Sequence, residues 1–179
     1  VFKYFEEICQ VPRPSKKEEK MIAYLKVFGA KHNLETKVDE AGNVLIKKPA
    51  TPGKENLQTV VLQSHIDMVC EKNNDVQHDF LTDPIETEID GEWLKAKGTT
   101  LGADNGIGVA TELAILADDS IEHGPLECLF TVDEETGLTG AFALKEGFMS
   151  GDILLNLDSE DEGEIFIGCA GGIDSVAEF

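Results

Sequence analysis

The residues best suited to chemistry stand just past an uncharged, β-branched run, Thr59-Val60-Val61-Leu62, which leads through Gln63-Ser64 into His65-Ile66-Asp67. Such a run forms a strand buried on both faces, and strands of open α/β sheets deliver functional groups at their carboxyl ends. Two residues apart in extended chain, His65 and Asp67 leave on the same side, so the Asp67 carboxylate can fix the imidazole while its other nitrogen meets a metal. Alone, a His-x-Asp pair is more often a structural hydrogen bond. The pattern recurs, however. The apolar run at 126–132 ends in Asp133-Glu134-Glu135, and that at 153–157 ends in Asp158. Adjacent carboxylates repel one another and a cation relieves the repulsion, although acidic capping of a following helix explains the triplet equally well. A further acid, Asp104, sits in residues 98–108, where four glycines in eleven residues suggest backbone bent tightly around something. A phosphate loop is the rival, but it would end in Gly-Lys-Ser/Thr and would not carry Asp104 where donors are needed. Convergence of His65, Asp104, Glu135 and Asp158 on one sheet edge points to a cation, and imidazole plus carboxylate without thiolate suits zinc, cobalt or manganese.

The elements that must hold these residues follow from periodicity. Val1, Phe5 and Ile8 predict a helix over 1–9, stopped by Pro12 and Pro14. Ser15-Lys16-Lys17-Glu18 has the form of a capping box, and Met21, Ile22, Leu25 and Phe28 predict a second helix as far as about His32. Hairpins are predicted for 36–40 with 43–48 around Ala41-Gly42, and for 85–89 with 93–96 turning at Asp90-Gly91. Residues 49–56 and 70–83 read as polar loops, and helices are expected over about 107–117 and 138–146. The class is therefore α/β. His32 and His78 stand in polar surroundings as surface residues, and His123 precedes a strand at the end opposite the site.

Composition narrows the function. With 179 residues, 41% hydrophobic and 28% charged, the chain suits a soluble domain with a sizeable core. Thirty-five acidic against 15 basic residues give a net charge of −20, which repels phosphate backbones and anionic lipid, so nucleic acid and membrane are excluded as expected partners. No apolar run approaches the ~20 residues of a membrane span, and the first residues carry acidic charge where a leader would carry basic charge. A cytoplasmic location is expected. Cys9, Cys70, Cys128 and Cys169 lie far apart and read as reduced core or loop thiols.

Together, Val61-Leu62-Gln63-Ser64-His65-Ile66-Asp67-Met68-Val69, Asp90-Gly91-Glu92-Trp93, Gly98-Thr99-Thr100-Leu101-Gly102-Ala103-Asp104-Asn105-Gly106, Glu134-Glu135-Thr136-Gly137 and Leu157-Asp158-Ser159-Glu160 resemble the co-catalytic zinc exopeptidases, which include carboxypeptidases, aminoacylases and dipeptidases. The likeness is greatest to the dipeptidase branch. It implies a three-layer αβα catalytic domain with a mostly parallel, mixed central sheet, and a site of two zinc ions. In that site His65 and Asp158 hold one zinc, Glu135 helps to hold the other, and Asp104 bridges both. Asp67 orients His65, and Glu134 is the general base. The peptide after the bridging residue, Asp104-Asn105, is expected to be cis. The implied reaction is hydrolysis of dipeptides, those ending in His included, by a homodimer. The family draws one more zinc-binding His from near the end of a longer chain, beyond an inserted lid. Residues 1–179 are thus expected to form the amino-terminal part of the catalytic domain, lacking the lid and the carboxyl-terminal part, with impaired activity alone. Two other readings stay open: an aminoacylase acting on N-acyl amino acids, and a non-catalytic acidic metal-binding or interaction module.

Overall fold

The computed structural model describes residues 1–159, 161, 163–168, 171 and 176. Glu160 and Cys169, named above, lie outside the described residues. In chain order the elements are α1 (Phe2–Cys9), α2 (Glu19–Lys31), β1 (Glu35–Val38), β2 (Val44–Lys48), β3 (Val60–His65), β4 (Thr87–Asp90), β5 (Trp93–Ala96), α3 (Ala103–Ala117), β6 (Leu126–Thr131), α4 (Thr139–Ala143) and β7 (Ile153–Asn156).

The two amino-terminal helices form where the apolar spacing predicts. Phe5 and Ile8 of α1 and Met21, Leu25 and Phe28 of α2 are buried, one turn apart along a single face. The predicted capping box does not form. α2 starts at Glu19 with no side-chain cap, because Ser15 donates its hydroxyl to Asp67 and Glu18 accepts from the Lys16 and Asp133 amides. Both side chains are used by distant segments instead. The helix expected over 138–146 is shorter, since Leu144 turns extended and Leu144, Phe148 and Met149 pack under the sheet.

Strand order is β1-β2-β6-β3-β7. β3 runs parallel to both β6 and β7, while β1 and β2 pair antiparallel, so the sheet is mixed. The β1–β2 hairpin turns where Asp39 Oδ1 accepts from the amides of Ala41, Gly42 and Asn43. β4 and β5 form a separate two-stranded ribbon. Alternation places Val44, Ile46, Leu62, Cys128 and Phe130 on the face covered by α1, α2 and α3, and Leu45, Val61 and Leu129 on the opposite face under residues 144–149. Three layers result, the second outer layer thin. β7 departs from the expectation of a strand buried on both faces. All four of its residues are exposed, because it pairs only with β3 and ends the sheet among the described residues.

Cys9, Cys70 and Cys128 are free thiols, as read from their spacing. His32 lies tilted over the Phe28 ring and His78 meets Phe80 edge-on, each half-buried. His123 lies at the amino-terminal end of β6, away from the strand ends that carry the acids, with its Nδ1 2.7 Å from the Gly124 carbonyl.

Glu112 was not singled out by the sequence. It projects from α3 into the core, fully buried, and Ser64 Oγ donates to its Oε1 at 2.7 Å. Burial raises its pKa well above the ordinary value, against the hydrogen bonds from Ser64 and Cys128. The folded state therefore holds this proton more tightly than the unfolded chain, and stability falls as pH climbs above the unfolded value near 4.5. Glu112→Gln removes that ionisation. The variant is expected to melt higher than the wild type at pH 8 and at the same temperature near pH 4; parallel melting curves across that range would show that Glu112 does not titrate with folding.

Candidate metal centre

Register brings the predicted residues together. His65, the last residue of β3, pairs with Thr131 of the parallel β6, and Gln63 pairs with Asn156 of β7, so residues 133–135 and Asp158 emerge beside the imidazole. Asp104 arrives from the other side, in the kinked start of α3, where the Asp104-Asn105 peptide is cis as expected. His65 is 1% exposed, with Nε2 3.1 Å from Asp104 Oδ1, 3.7 Å from Asp158 Oδ2 and 3.9 Å from Glu134 Oε2. Its Nδ1 lies 3.2 Å from Asp67 Oδ1. Two sets of donor atoms are close enough to share an ion: His65 with Asp104 and Asp158, and His65 with Glu134 and Glu135.

The acidic triplet divides its work between the two readings made of it. The Asp133 carboxylate accepts from the Thr136 and Thr139 hydroxyls and ties down the start of α4. Glu134 and Glu135 face His65 instead. Asp67, fully buried, accepts at Oδ1 from His65 Nδ1 and the Glu134 amide, and at Oδ2 from Ser15 Oγ and the Glu135 amide. One carboxylate thereby orients the imidazole and holds the backbone that presents both glutamates. Glu18, Asp67 and Asp133 form a third close group, fully buried, whose oxygens accept from these internal amides, hydroxyls and imidazole.

Electrostatics favour a cation among these groups. Burial opposes charge on His65, but the bond to Asp67 and the charges of Asp67 and Asp158 outweigh it and raise the imidazole to about 9. Asp67 is held at about 2 despite burial, by His65, Ser15 and the two glutamate amides. Burial raises Asp158 to about 6, with Asp104 and Glu134 adding and His65 opposing. Glu135 is raised first by burial and then by Asp104 and Glu134. With the Nδ1 proton given to Asp67, neutral His65 would aim a bare lone pair at Asp104 Oδ1; a second proton or a metal ion must stand between them. Among the described residues, no Lys or Arg pairs with Asp104, Glu134, Glu135 or Asp158. The donor set, imidazole and carboxylate without thiolate, fits a divalent ion such as zinc. Beside it opens a cavity of about 180 Å³ whose lining includes Gln63, Thr131, Leu138 and Asn156 together with Glu134 and Asp158.

Three supporting residues, Arg13, Ser15 and Glu18, escaped the sequence reading. Arg13 is fully buried, and its guanidinium donates to the carbonyls of Ile66, Asp67 and Gly102. Its place between two prolines carries no signal of burial, and Ser15 and Glu18 satisfied a local pattern that concealed their distant partners.

The geometry agrees with what the chain is similar to. The profile described as Peptidase family M20/M25/M40 matches residues 61–174. Cytosol non-specific dipeptidase of Escherichia coli (strain K12) is 56% identical over 170 residues, which is 95% of this chain and 35% of that protein. The crystal structure of aminoacylhistidine dipeptidase from Vibrio alginolyticus superposes with a TM-score of 0.91 at 57% identity, over 94% of this chain and 34% of that one. Aminopeptidase PepT from Bacillus cereus ATCC 10987 superposes with a TM-score of 0.75 at 27% identity, over 89% of this chain and 43% of that one. The chain thus spans about a third of the length of the two dipeptidases. A profile matched across most of the chain, a mixed sheet shared with peptidase structures, and an imidazole met by three carboxylates from strand ends and a fourth from the start of α3 agree on one conclusion: this chain belongs to peptidase family M20/M25/M40.

Proposed function

We propose that the chain is the amino-terminal part of the catalytic domain of a metal-dependent dipeptidase, with further chain supplying the lid and the remaining ligand. The observation that carries this reading is His65 Nε2 facing Asp104, Asp158 and Glu134 with no other cationic side chain paired to them among the described residues. The dipeptidases similar at 56% and 57% identity support the substrate class, and a dipeptide ending in His is the first to test. A cytoplasmic site of action accords with the name of the Escherichia coli relative, and among the described residues no helix is long and apolar enough to cross a membrane.

In this reading His65, Asp104 and Asp158 would hold one zinc ion, and Glu135 would help to hold a second. Two bound zinc ions would supply a polarised scissile carbonyl and a more acidic water. Asp67 keeps the Nδ1 proton of His65 and so leaves Nε2 available as a ligand. Glu134, whose side chain is 32% exposed, is free to take the proton of the attacking water and return it to the departing amine. The new C–O bond forms as water adds to the carbonyl carbon, the amide C–N bond then breaks, and the proton ends on the leaving nitrogen. Glu135, equally acidic by nature, is committed to the metal. That division separates the base from the ligand.

Calorimetric titration of the metal-free protein with zinc is expected to show a tight step that His65→Ala abolishes, followed by a weaker one, and the loaded protein is expected to hydrolyse dipeptides in preference to N-acyl amino acids. Equal zinc affinity in the two proteins would remove the metal site. Preference for N-acyl substrates would change the substrate class and leave the site standing.

A further inference from the structure

The glycine-rich stretch at 98–108 is bent around a guanidinium. Arg13 is 2% exposed, with Nη1 3.1 Å from the Ile66 carbonyl and 3.0 Å from that of Asp67, and with Nη2 on the carbonyl of Gly102. A Cβ at Gly102 would stand 2.5 Å from Nη2 and 2.8 Å from Met68 Sδ, and one at Gly106 2.7 Å from Nη2 and 3.0 Å from Phe5 Cε2, so this side chain is the nearest of the groups that crowd both glycines. Gly102 also adopts φ +68°, a left-handed conformation that other residues resist. Among the described residues, no carboxylate pairs with the guanidinium; its charge is met by backbone carbonyls, which a planar fork can engage on two sides at once.

The identity of those carbonyls is informative. Ile66 and Asp67 directly follow His65, and Gly102 precedes Asp104 by two residues. One rigid side chain thus joins the backbone behind the imidazole to the backbone ahead of the carboxylate it faces. A metal centre tolerates errors of only about 0.5 Å in its donors, whereas the fold tolerates far more. We propose that Arg13 is a positioning residue of the metal centre, setting the separation between His65 and Asp104 from beneath; this rests on the metallopeptidase reading above. A lysine would keep the charge and the stem. It could not span the same three carbonyls, because an ammonium is a compact point charge without the planar fork.

The test is a zinc titration of the intact metal-free protein, read beside its thermal melting temperature, for Arg13→Lys and for Leu25→Ala. Leu25 is a fully buried residue of α2 that contributes no group to the site, so its truncation lowers stability without touching the metal centre. Arg13→Lys is expected to weaken zinc binding about 10- to 100-fold, the range seen when groups that support metal ligands are lost. Leu25→Ala is expected to keep the wild-type affinity while melting lower. A folded Arg13→Lys variant with wild-type affinity overturns the inference, as does an equal weakening in Leu25→Ala, which would mean that affinity merely follows stability. Should Arg13→Lys not fold, Gly106→Ala crowds the guanidinium most closely, with the Phe5 ring next, and deletes neither; the same weakening is expected, and wild-type affinity there also overturns the inference. A wild-type protein that takes up no zinc removes the metallopeptidase reading itself. Intact wild-type binding with unaffected variants removes only the role of Arg13.

Discussion

Glu134→Gln is expected to lower kcat by about 10²- to 10⁴-fold while leaving the zinc content unchanged, the loss associated with removing a general base. Asp104→Ala is expected to lose zinc and activity together. The contrast follows from the roles proposed above for the two carboxylates. Asp104 Oδ1 lies 3.1 Å from His65 Nε2 and belongs to a donor set with Asp158, so a bound ion would lean on it directly. Glu134 Oε2 is farther, at 3.9 Å; it belongs to the other donor set, with Glu135, but its carboxylate also lines the open cavity, as the proposed base must. Gln preserves its shape and removes its basicity. Metal analysis beside steady-state kinetics in the intact protein separates the outcomes. Near-normal turnover in Glu134→Gln would reassign the base, and full zinc content in Asp104→Ala would remove it from the ligand set.

Asp67→Ala is expected to cost about 4 kcal/mol or more of metal-free stability and to weaken zinc binding as well. The side chain is fully buried and accepts from four donors: the imidazole, the Ser15 hydroxyl and the amides of Glu134 and Glu135. Each donor left without a partner costs about 1–3 kcal/mol, and losing several at once belongs among the few substitutions with effects this large. Zinc affinity falls for another reason, since the proton on Nδ1 loses its acceptor and the imidazole loses its orientation. The pH dependence has a definite sign. Held at about 2 in the fold against 3.8 ordinarily, Asp67 contributes stability that is complete above the higher value and lost as pH falls through the lower. Denaturant unfolding at pH 7 and pH 2.5 is therefore expected to show a smaller gap between wild type and variant in acid. An unchanged gap would mean that the carboxylate charge is not what these donors require.

Some of this protein is written in local spacing, and some is not. The β-branched run before His65, the helical recurrence of Met21, Leu25 and Phe28, and the turn at Ala41-Gly42 each specify an element by period or dihedral preference over a few residues, and each formed close to its predicted bounds. The approach of His65, Glu135 and Asp158 was also legible, because parallel strands leave their carboxyl ends on one edge and each run ended in a group able to meet a cation; Asp104 was read from the glycine-rich stretch, and Glu134 entered through the family resemblance. Spacing alone did not assign neighbouring groups: the resemblance singled out Glu134 and Glu135, and the tertiary structure gave Asp133 its partners. Asp133 turned to the Thr136 and Thr139 hydroxyls while Glu134 and Glu135 turned to the site, a choice three adjacent acids do not declare. Ser15 and Glu18, which satisfy a capping pattern on paper, bonded to Asp67 and to the Asp133 amide, more than 50 and more than 100 residues away. Arg13 and Glu112 give no sign in sequence of being buried, and β7 gives none of being exposed. The reason is the same throughout: backbone periodicity is set by neighbours along the chain, whereas the burial of a charge and the partner of a hydrogen bond are set by whichever distant segment folds against it.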